Sequence, residues 1–400
     1  MLKLKNLDKE VYDNYVISQK EKPNFLQSHS YGEFAKVKKR LTPYYLGLVN
    51  ENNEIVAATM VFQKSLPFNY SGFYIPAGFT IDYKKKHLVK TLTRALTNFA
   101  KTKKAIFIKM SPYIDESISE DDLNEIKNNL KDAGFKKEDE NKHLKIMNPL
   151  SSNVLNLDKD IEEIENNFKE STKDYLAKAI KLNTETILGN KTNIKDLHQL
   201  MKSKEKSTKY NEDYFETLYE IFNGSKNTKA SIILGKVNLN KTIKTLERNL
   251  KKVNNQISIL PIDSLTKSSK SKLVDLTKQK EEIIKEIEKF QGYKQKHGNE
   301  VTMSAHLIIQ YGNNAWITHA YDSNTIKDTY LKYNTYYKDI KYCKDENITS
   351  LEQTNSNILK DNYNAKEVKY LGQYNYIINP IMYFIINKMR KKNKLKIMYI

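Results

Sequence analysis

IKTLERNLKKVNNQISILPIDSLTKSSKSKLVDLTKQKEEIIKEIEKF, residues 243–290, is the stretch on which the architecture turns. Ile243, Leu246, Leu250, Val253, Ile257 and Leu260 step by three and four without a break. Beyond Pro261 and the polar run from Ser264 to Ser271, the residues Leu273, Leu276, Ile283, Ile287 and Phe290 keep that rhythm. Lys280 stands at the one missing seam position. A seam of this period is a narrow apolar stripe, and it asks for a partner helix. The short connection supplies one, because the second half can fold back antiparallel on the first. An intermolecular coiled coil is the alternative. The charged flanks read as solvated faces and carry no chemistry.

Outward from this arm, the pattern becomes mixed. Tyr45 to Val49 and Ile55 to Gln63 read as strands joined by Asn50-Glu51-Asn52-Asn53, and Phe73 to Ile75 as a third. An amphipathic helix around Leu88, Leu92, Ala95, Leu96 and Phe99 feeds the strand Ala105 to Met110. On the other side, Thr302 to Gln310 and Ala315 to Ala320 form a hairpin across Tyr311-Gly312-Asn313-Asn314. A Tyr-rich helix follows, from about Asp328 to Tyr342. The expected class is therefore α/β (α+β), with one unit repeated on either side of an inserted helical arm.

Composition narrows the partners. Hydrophobic residues make up 39% of the 400, enough to build cores, so wholesale disorder is excluded. The formal charge of +19 creates a field that draws in nucleic acid or anionic head groups. Cys343 is the only cysteine, which excludes an internal disulfide and fits a reducing compartment. It lies in a helix pattern and reads as a packing residue rather than a nucleophile. The start, MLKLKNLDKEVYDNY, has no apolar region of signal-peptide length. The longest apolar run, Ile377 to Ile386, is interrupted by Asn379 and Pro380 and falls short of the roughly 20 residues that a spanning helix needs. A cytoplasmic protein is expected. The apolar and basic tail from Ile381 to Ile400 is suited either to the inner face of a membrane or to docking as a helix with a solvated end.

Familiar catalytic signatures are absent from the sequence: no Walker loop, no G-x-G-x-x-G after a strand, no H-E-x-x-H, no cysteine cluster. His29, His87, His143, His198, His297, His306 and His319 lack metal-ligand spacing and read as surface or core residues, so no metal is expected. Three local patterns remain. The first is Phe25-Leu26-Gln27-Ser28 followed by Tyr31-Gly32-Glu33-Phe34. The second runs Tyr74-Ile75-Pro76-Ala77-Gly78-Phe79-Thr80-Ile81-Asp82-Tyr83, then Ile108-Lys109-Met110-Ser111-Pro112-Tyr113. The third runs from Ile358-Leu359-Lys360-Asp361-Asn362-Tyr363-Asn364-Ala365 through Tyr370-Leu371-Gly372-Gln373-Tyr374 to Ile378-Asn379-Pro380-Ile381-Met382-Tyr383.

In the order and spacing of these patterns, and in the position of the arm, the sequence resembles the Fem family (FemA, FemB, FemX and relatives). These bacterial enzymes use aminoacyl-tRNA to build the peptide cross-bridge of peptidoglycan. The resemblance implies two domains related to N-acetyltransferases. The first is expected over 1–155, joined by the closing segment 366–400; the second over 156–238 and 297–365; and the antiparallel coiled-coil arm over 239–296. It implies an aminoacyltransferase acting on the stem peptide or bridge of a lipid-linked or nucleotide-linked precursor. Aminoacyl-tRNA would be a co-substrate and no cofactor is expected. A dimer with itself or with a relative is compatible. The alternative is a member that has lost transferase activity and binds tRNA, precursor or a partner transferase. The Gly-rich loop that cradles coenzyme A in typical acetyltransferases is missing, which argues against acetyl-CoA as donor.

Carried over residue by residue, the resemblance weakens where chemistry would care. The lysine usual at the end of the first pattern falls on Ala35, with Lys36 and Lys38 close by. Arg-Gly-Pro of the family is Ala77-Gly78-Phe79 here, and alanine cannot grip a phosphate or carboxylate as an arginine fork does. The acidic residue usual before Pro112 is Ser111, which still donates and accepts hydrogen bonds. The expected Gly-rich segment before the third pattern is Ser350-Leu351-Glu352-Gln353-Thr354-Asn355. Lys360 matches the family's substrate-contacting lysine and is the expected phosphate or carboxylate ligand; a solvated surface lysine is the alternative. Asp82 and Tyr363 also match and complete the expected binding set with Lys36 and Lys38, although Tyr363 and Tyr74 can equally be core aromatics. Gly372 serves backbone geometry. No residue at a family position stands out as a general base.

Overall fold

The fold is taken from a computed structural model, which describes residues 2–19, 22–138, 149–204, 210–260 and 267–391. Among positions named above, His143, Pro261, Ser264 and the tail beyond residue 391 lie outside these residues. Fourteen strands are formed among the described residues. They are β1 (Lys3–Asn6), β2 (Thr42–Val49), β3 (Ile55–Leu66), β4 (Tyr70–Ile75), β5 (Ala105–Met110), β6 (Lys136–Lys137) and β7 (Ser151–Asn156), followed by β8 (Thr184–Gly189), β9 (Thr228–Asn238), β10 (Glu300–Tyr311), β11 (Asn314–Asp322), β12 (Ser350–Gln353), β13 (Lys366–Lys369) and β14 (Tyr374–Ile377).

They fall into two seven-stranded sheets, ordered β1-β2-β3-β4-β5-β14-β6 and β13-β7-β12-β11-β10-β9-β8. Each contains an antiparallel run of three (β2-β3-β4, β9-β10-β11), then one parallel step. The step from β4 to β5 crosses through the helix Lys86–Thr102, and that from β11 to β12 through Leu331–Asp345. A strand from elsewhere in the chain then pairs antiparallel with each: β14 on β5, β7 on β12.

The repeat expected from sequence is therefore present, with a shifted correspondence. The hairpin β10-β11 matches β3-β4, because β9, not recognised from sequence, supplies the first strand of the run. The arm is inserted between β9 and β10. Sheet membership also moves two edges. Ser151–Asn156, grouped with the first unit by sequence, pairs with β12 and β13 in the second sheet. Lys366–Lys369, grouped with the closing segment, pairs there too, so the chain returns to the first sheet only at Tyr374. Short polar strands such as SSNVLN and KEVK carry no marker of which sheet will complete them.

The central strands β3 and β10 are buried residue after residue over most of their length, because both of their faces are covered. On Lys86–Thr102, Val89, Leu92, Leu96 and Ala100 form the inward stripe, and Thr93 and Thr97 join it by donating to the carbonyls of Val89 and Thr93 at 2.7 and 2.8 Å. The arm consists of Leu239–Ser258 and Lys267–His297. Asn238 caps the first helix by accepting from the Lys241 amide at 3.0 Å. Ile243, Leu246, Val253, Leu276 and Phe290 are buried along the seam, and Lys280 is half-buried at its gap. At the foot, Ile243, Leu246 and Phe290 merge with Val237 and Met303 of the second sheet. This anchors the arm.

The two units share a core. Tyr12, Val16, Ala35, Met60 and Phe62 pack in one cluster with Tyr311 and Trp316 of the second sheet. Tyr311 donates to Asp13 at 2.9 Å, and Ser30 bonds Thr228 at 2.7 Å. Their relative placement is thus set by close packing rather than by a linker.

Candidate functional site

β4 and β5 pair as far as Ile75 and Met110. Pro76 has no N–H to continue the ladder, and the strands diverge. Ala77 (φ 58°) and Gly78 (φ 78°) turn the chain in the left-handed region. The turn is pinned by two backbone bonds, from the Ser111 amide to Ile75 and from the Tyr113 amide to Ala77, both 3.3 Å. A Cβ on Gly78 would stand 2.8 Å from Pro112 Cα and 2.5 Å from Tyr83 Oη, so only glycine allows this approach. The Phe79 amide donates to Tyr83 Oη at 2.6 Å, and the two rings stack. In open sheets, the carboxyl ends of such diverging parallel strands are where ligands bind.

All three sequence patterns converge on this mouth. From the first, Gln27 donates to the Pro76 carbonyl and to that of Met60 at 3.2 Å; its Oε1 accepts from Met60 N and Tyr12 Oη, both at 2.7 Å. From the third, the Leu371 amide donates to Ile114 at 3.2 Å, and Tyr370 bridges Asp115 and stacks on Tyr113 with ring centres 4.5 Å apart. The hydroxyls of Tyr113 and Tyr370 both donate to Glu352, the latter at 3.0 Å. Lys22 Nζ lies 3.5 Å from the same carboxylate and donates to Ser350 Oγ at 2.6 Å.

Glu352 has a side-chain exposure of 1% and is the third of the four residues of β12, so a buried carboxylate of the second sheet reaches the mouth of the first. Burial and the Glu352 charge push the Tyr113 hydroxyl well above the usual phenol range. Burial lowers Lys22, and the attraction of Glu352 opposes that. The result is a charge-assisted network in which Tyr113 and Lys22 are half-buried around the buried Glu352.

The expected site residues divide. Ser111 is buried at the mouth, as are Ala77 and Phe79. Asp82 lies in the following loop, where Oδ1 accepts from the Lys84 amide at 3.0 Å and Oδ2 is 3.8 Å from Lys85. Ala35 is wholly buried in the shared core, so an ungapped lysine there would point into packing. Lys36 is exposed and loosely paired with Glu33 at 4.0 Å, whereas Lys38 is committed to Asp213 in an ion pair between the two units. Lys360 is exposed on the short helix Ile358–Tyr363 and paired with Glu367 at 2.7 Å. Tyr363 corrects the expectation of a substrate ligand: it is 0% exposed, and its hydroxyl donates to the Tyr333 carbonyl at 2.6 Å. It is a core residue of the second unit. Cys343 is likewise buried, and burial pushes its thiol up.

Sequence reasoning quoted Tyr113, Tyr370 and Glu352 without giving them a role, and did not single out Lys22. A carboxylate next to Leu351 in the short segment Ser350-Leu351-Glu352-Gln353 was the available signal. It also read His306 as an ordinary residue. His306 is wholly buried, 2.6 Å from Asp339 and 3.5 Å from Asp322, with Ser304 donating to Asp322 at 2.6 Å. The two carboxylates hold its imidazole up at about 10 against the desolvation that lowers it, and His306 in turn holds Asp322 below its usual range. This cluster braces β10, β11 and the helix Leu331–Asp345 inside the second unit.

Two sheets of one pattern, each with a parallel step, and a helical arm between define a tandem α/β protein with an inserted antiparallel arm. The solved structure of FemX superposes with a TM-score of 0.77 at 20% identity, covering 96% of this chain and 99% of that one. The Lipid II:glycine glycyltransferases of Staphylococcus aureus strains USA300 and NCTC 8325 are each 24% identical over 429 aligned residues, covering 95% of this chain and 97% of theirs. The sequence model of the FemAB family matches residues 7–391. The chain belongs to the FemAB family.

Proposed function

We propose that this protein transfers an amino acid, glycine by analogy with its relatives, from aminoacyl-tRNA to an amine of a lipid-linked peptidoglycan precursor. The observation that carries this reading is the convergence of the three family patterns on one mouth, where a reachable tyrosine is backed by a buried carboxylate. The attacking amine forms the new amide bond at the ester carbon, the ester C–O bond breaks, and the 3′-terminal ribose oxygen leaves with that electron pair and takes up the proton the amine gives up. The amine must lose a proton. Tyr113 Oη takes it while passing its own proton to Glu352, so Glu352 acts through Tyr113 as a positioning residue. Lys22 offsets the charge on that network. The placement of both substrates supplies much of the acceleration. Lys36 and Lys360, exposed and held only by surface pairs, are free to exchange those partners for phosphate or carboxylate. The net charge of +19 favours both tRNA and a pyrophosphate-bearing acceptor.

The test is transfer of label from a pool of radiolabelled aminoacyl-tRNAs to precursor carrying the complete stem peptide. Wild type is expected to move one amino acid, and Lys360→Ala to move it at least tenfold more slowly without loss of fold. Absence of transfer by wild type, while tRNA or precursor still binds, would replace the transferase by a binding protein.

A further inference from the structure

The helix Pro380–Lys391 is apolar on both sides. Its inner face, with Met382, Tyr383 and Ile386, packs into the shared core. Its outer face carries Ile381 (73% exposed), Phe384 (67%) and Ile385 (37%), at the i, i+3, i+4 spacing of one stripe, and Lys388 continues that stripe one turn on. A helix apolar all round is ordinarily buried. Isolated exposed apolar residues are common, but this is a contiguous patch. Ile377 adds 40% exposure just before the helix. A groove of about 510 Å³, lined by Tyr70, Lys101, Lys104, Ile378, Pro380 and Ile381, opens beside it. Two residues before Tyr70, Phe68 is 61% exposed and held outward by a left-handed backbone, φ 61°.

The stretches that build this face carry no acidic residue. The chain holds 48 acidic residues, yet none falls in 55–81, 83–114 or 368–400, the three stretches that build the groove and its helix. Lys101, Lys104 and Lys388 are all exposed. Beyond the described residues the sequence adds Lys392, Lys394 and Lys396.

We infer that this face, the outer stripe of Pro380–Lys391 with its lysine rim, docks the protein on an anionic lipid bilayer. Ile381, Phe384 and Ile385 would enter the interfacial layer, and the lysines would lie among the head-group phosphates. Among the described residues no helix is long and apolar enough to cross a membrane, so the contact is peripheral. The groove lies where β5 starts, whereas the candidate site lies where it ends. Strand β5 would thus stand the site off from the bilayer by roughly 17 Å. That is a workable height for a peptide carried on a lipid-linked head group.

The measurement is co-sedimentation of the full chain with vesicles of equimolar phosphatidylglycerol and phosphatidylcholine, against vesicles of phosphatidylcholine alone. Wild type should pellet with the anionic vesicles and be released by high salt. Ile381→Glu with Phe384→Glu should weaken partition at least tenfold. Lys101→Gln and Lys104→Gln should each weaken it about fivefold. Equal pelleting of the double glutamate variant, or no pelleting of wild type, overturns the inference. Self-association that this variant abolishes, without vesicle binding, would assign the face to a second copy. A polarity-sensitive dye on Phe384→Cys that already reports an apolar setting in free protein, unchanged by vesicles, would assign it to residues 392–400. The assay contains neither tRNA nor precursor, so it stands or falls apart from the transferase reading.

Discussion

Replacing Glu352 should injure stability and transfer together, and the network shows by how much. Its carboxylate accepts from Tyr113 and Tyr370 and faces Lys22, at 1% side-chain exposure. Glu352→Gln keeps the shape but removes the charge, and one amide nitrogen then faces a hydroxyl that had been donating. Hydrogen bonds to charged groups contribute about 1.5–3 kcal/mol against about 1 for neutral ones, so a loss of about 2–3 kcal/mol is expected. Glu352→Ala leaves both phenol hydroxyls without their acceptor, each costing about 1–3 kcal/mol, and adds a cavity, for about 4–6 kcal/mol in all. Tyr113→Phe removes one hydroxyl and should cost only about 1 kcal/mol, while lowering kcat at least a hundredfold if the proton passes through it. Urea unfolding followed by circular dichroism gives the stabilities. Label transfer gives the second readout, and a fall in kcat with KM little changed is expected for Tyr113→Phe. A Glu352→Ala protein within 0.5 kcal/mol of wild type would show that the network contributes nothing. Unchanged kcat in Tyr113→Phe would remove the proton relay.

Two further perturbations follow from the packing. Burial pushes Asp13 up to about 6 from its ordinary 3.8, against the His29 amide and Tyr311 hydroxyl that favour its charged form. The folded state therefore binds the extra proton, and this group's contribution is present below pH 3.8 and lost as pH rises to about 6. Relative to Asp13→Asn, wild type should lose about 2.5 kcal/mol between pH 4 and pH 7 in urea midpoints, and a flat difference would refute the assignment. Gly78→Ala meets a left-handed backbone and Pro112 Cα at 2.8 Å, so it should cost about 3 kcal/mol and impair transfer; a neutral result would mean that the turn yields.

Much of the architecture was legible from residues close together in the chain. The seam from Ile243 to Phe290 set the arm, since a three-four period is a local property that needs only one helix to be visible. The strand Ala105–Met110 was read to the residue because an apolar run ended by Ser111-Pro112 carries its own boundary. Resemblance of the three patterns then named the family. Tertiary structure decided what local patterning cannot hold. It placed Ser151–Asn156 and Lys366–Lys369 in the second sheet, since a short polar strand pairs with whichever edge is left open to it. It turned Tyr363 inward, because a tyrosine reads alike as ligand or core until its hydroxyl finds a partner. And it assembled the candidate site from Lys22, Tyr113, Glu352 and Tyr370. These residues are far apart in sequence, and desolvation at one junction makes their charges and hydroxyls act as a unit.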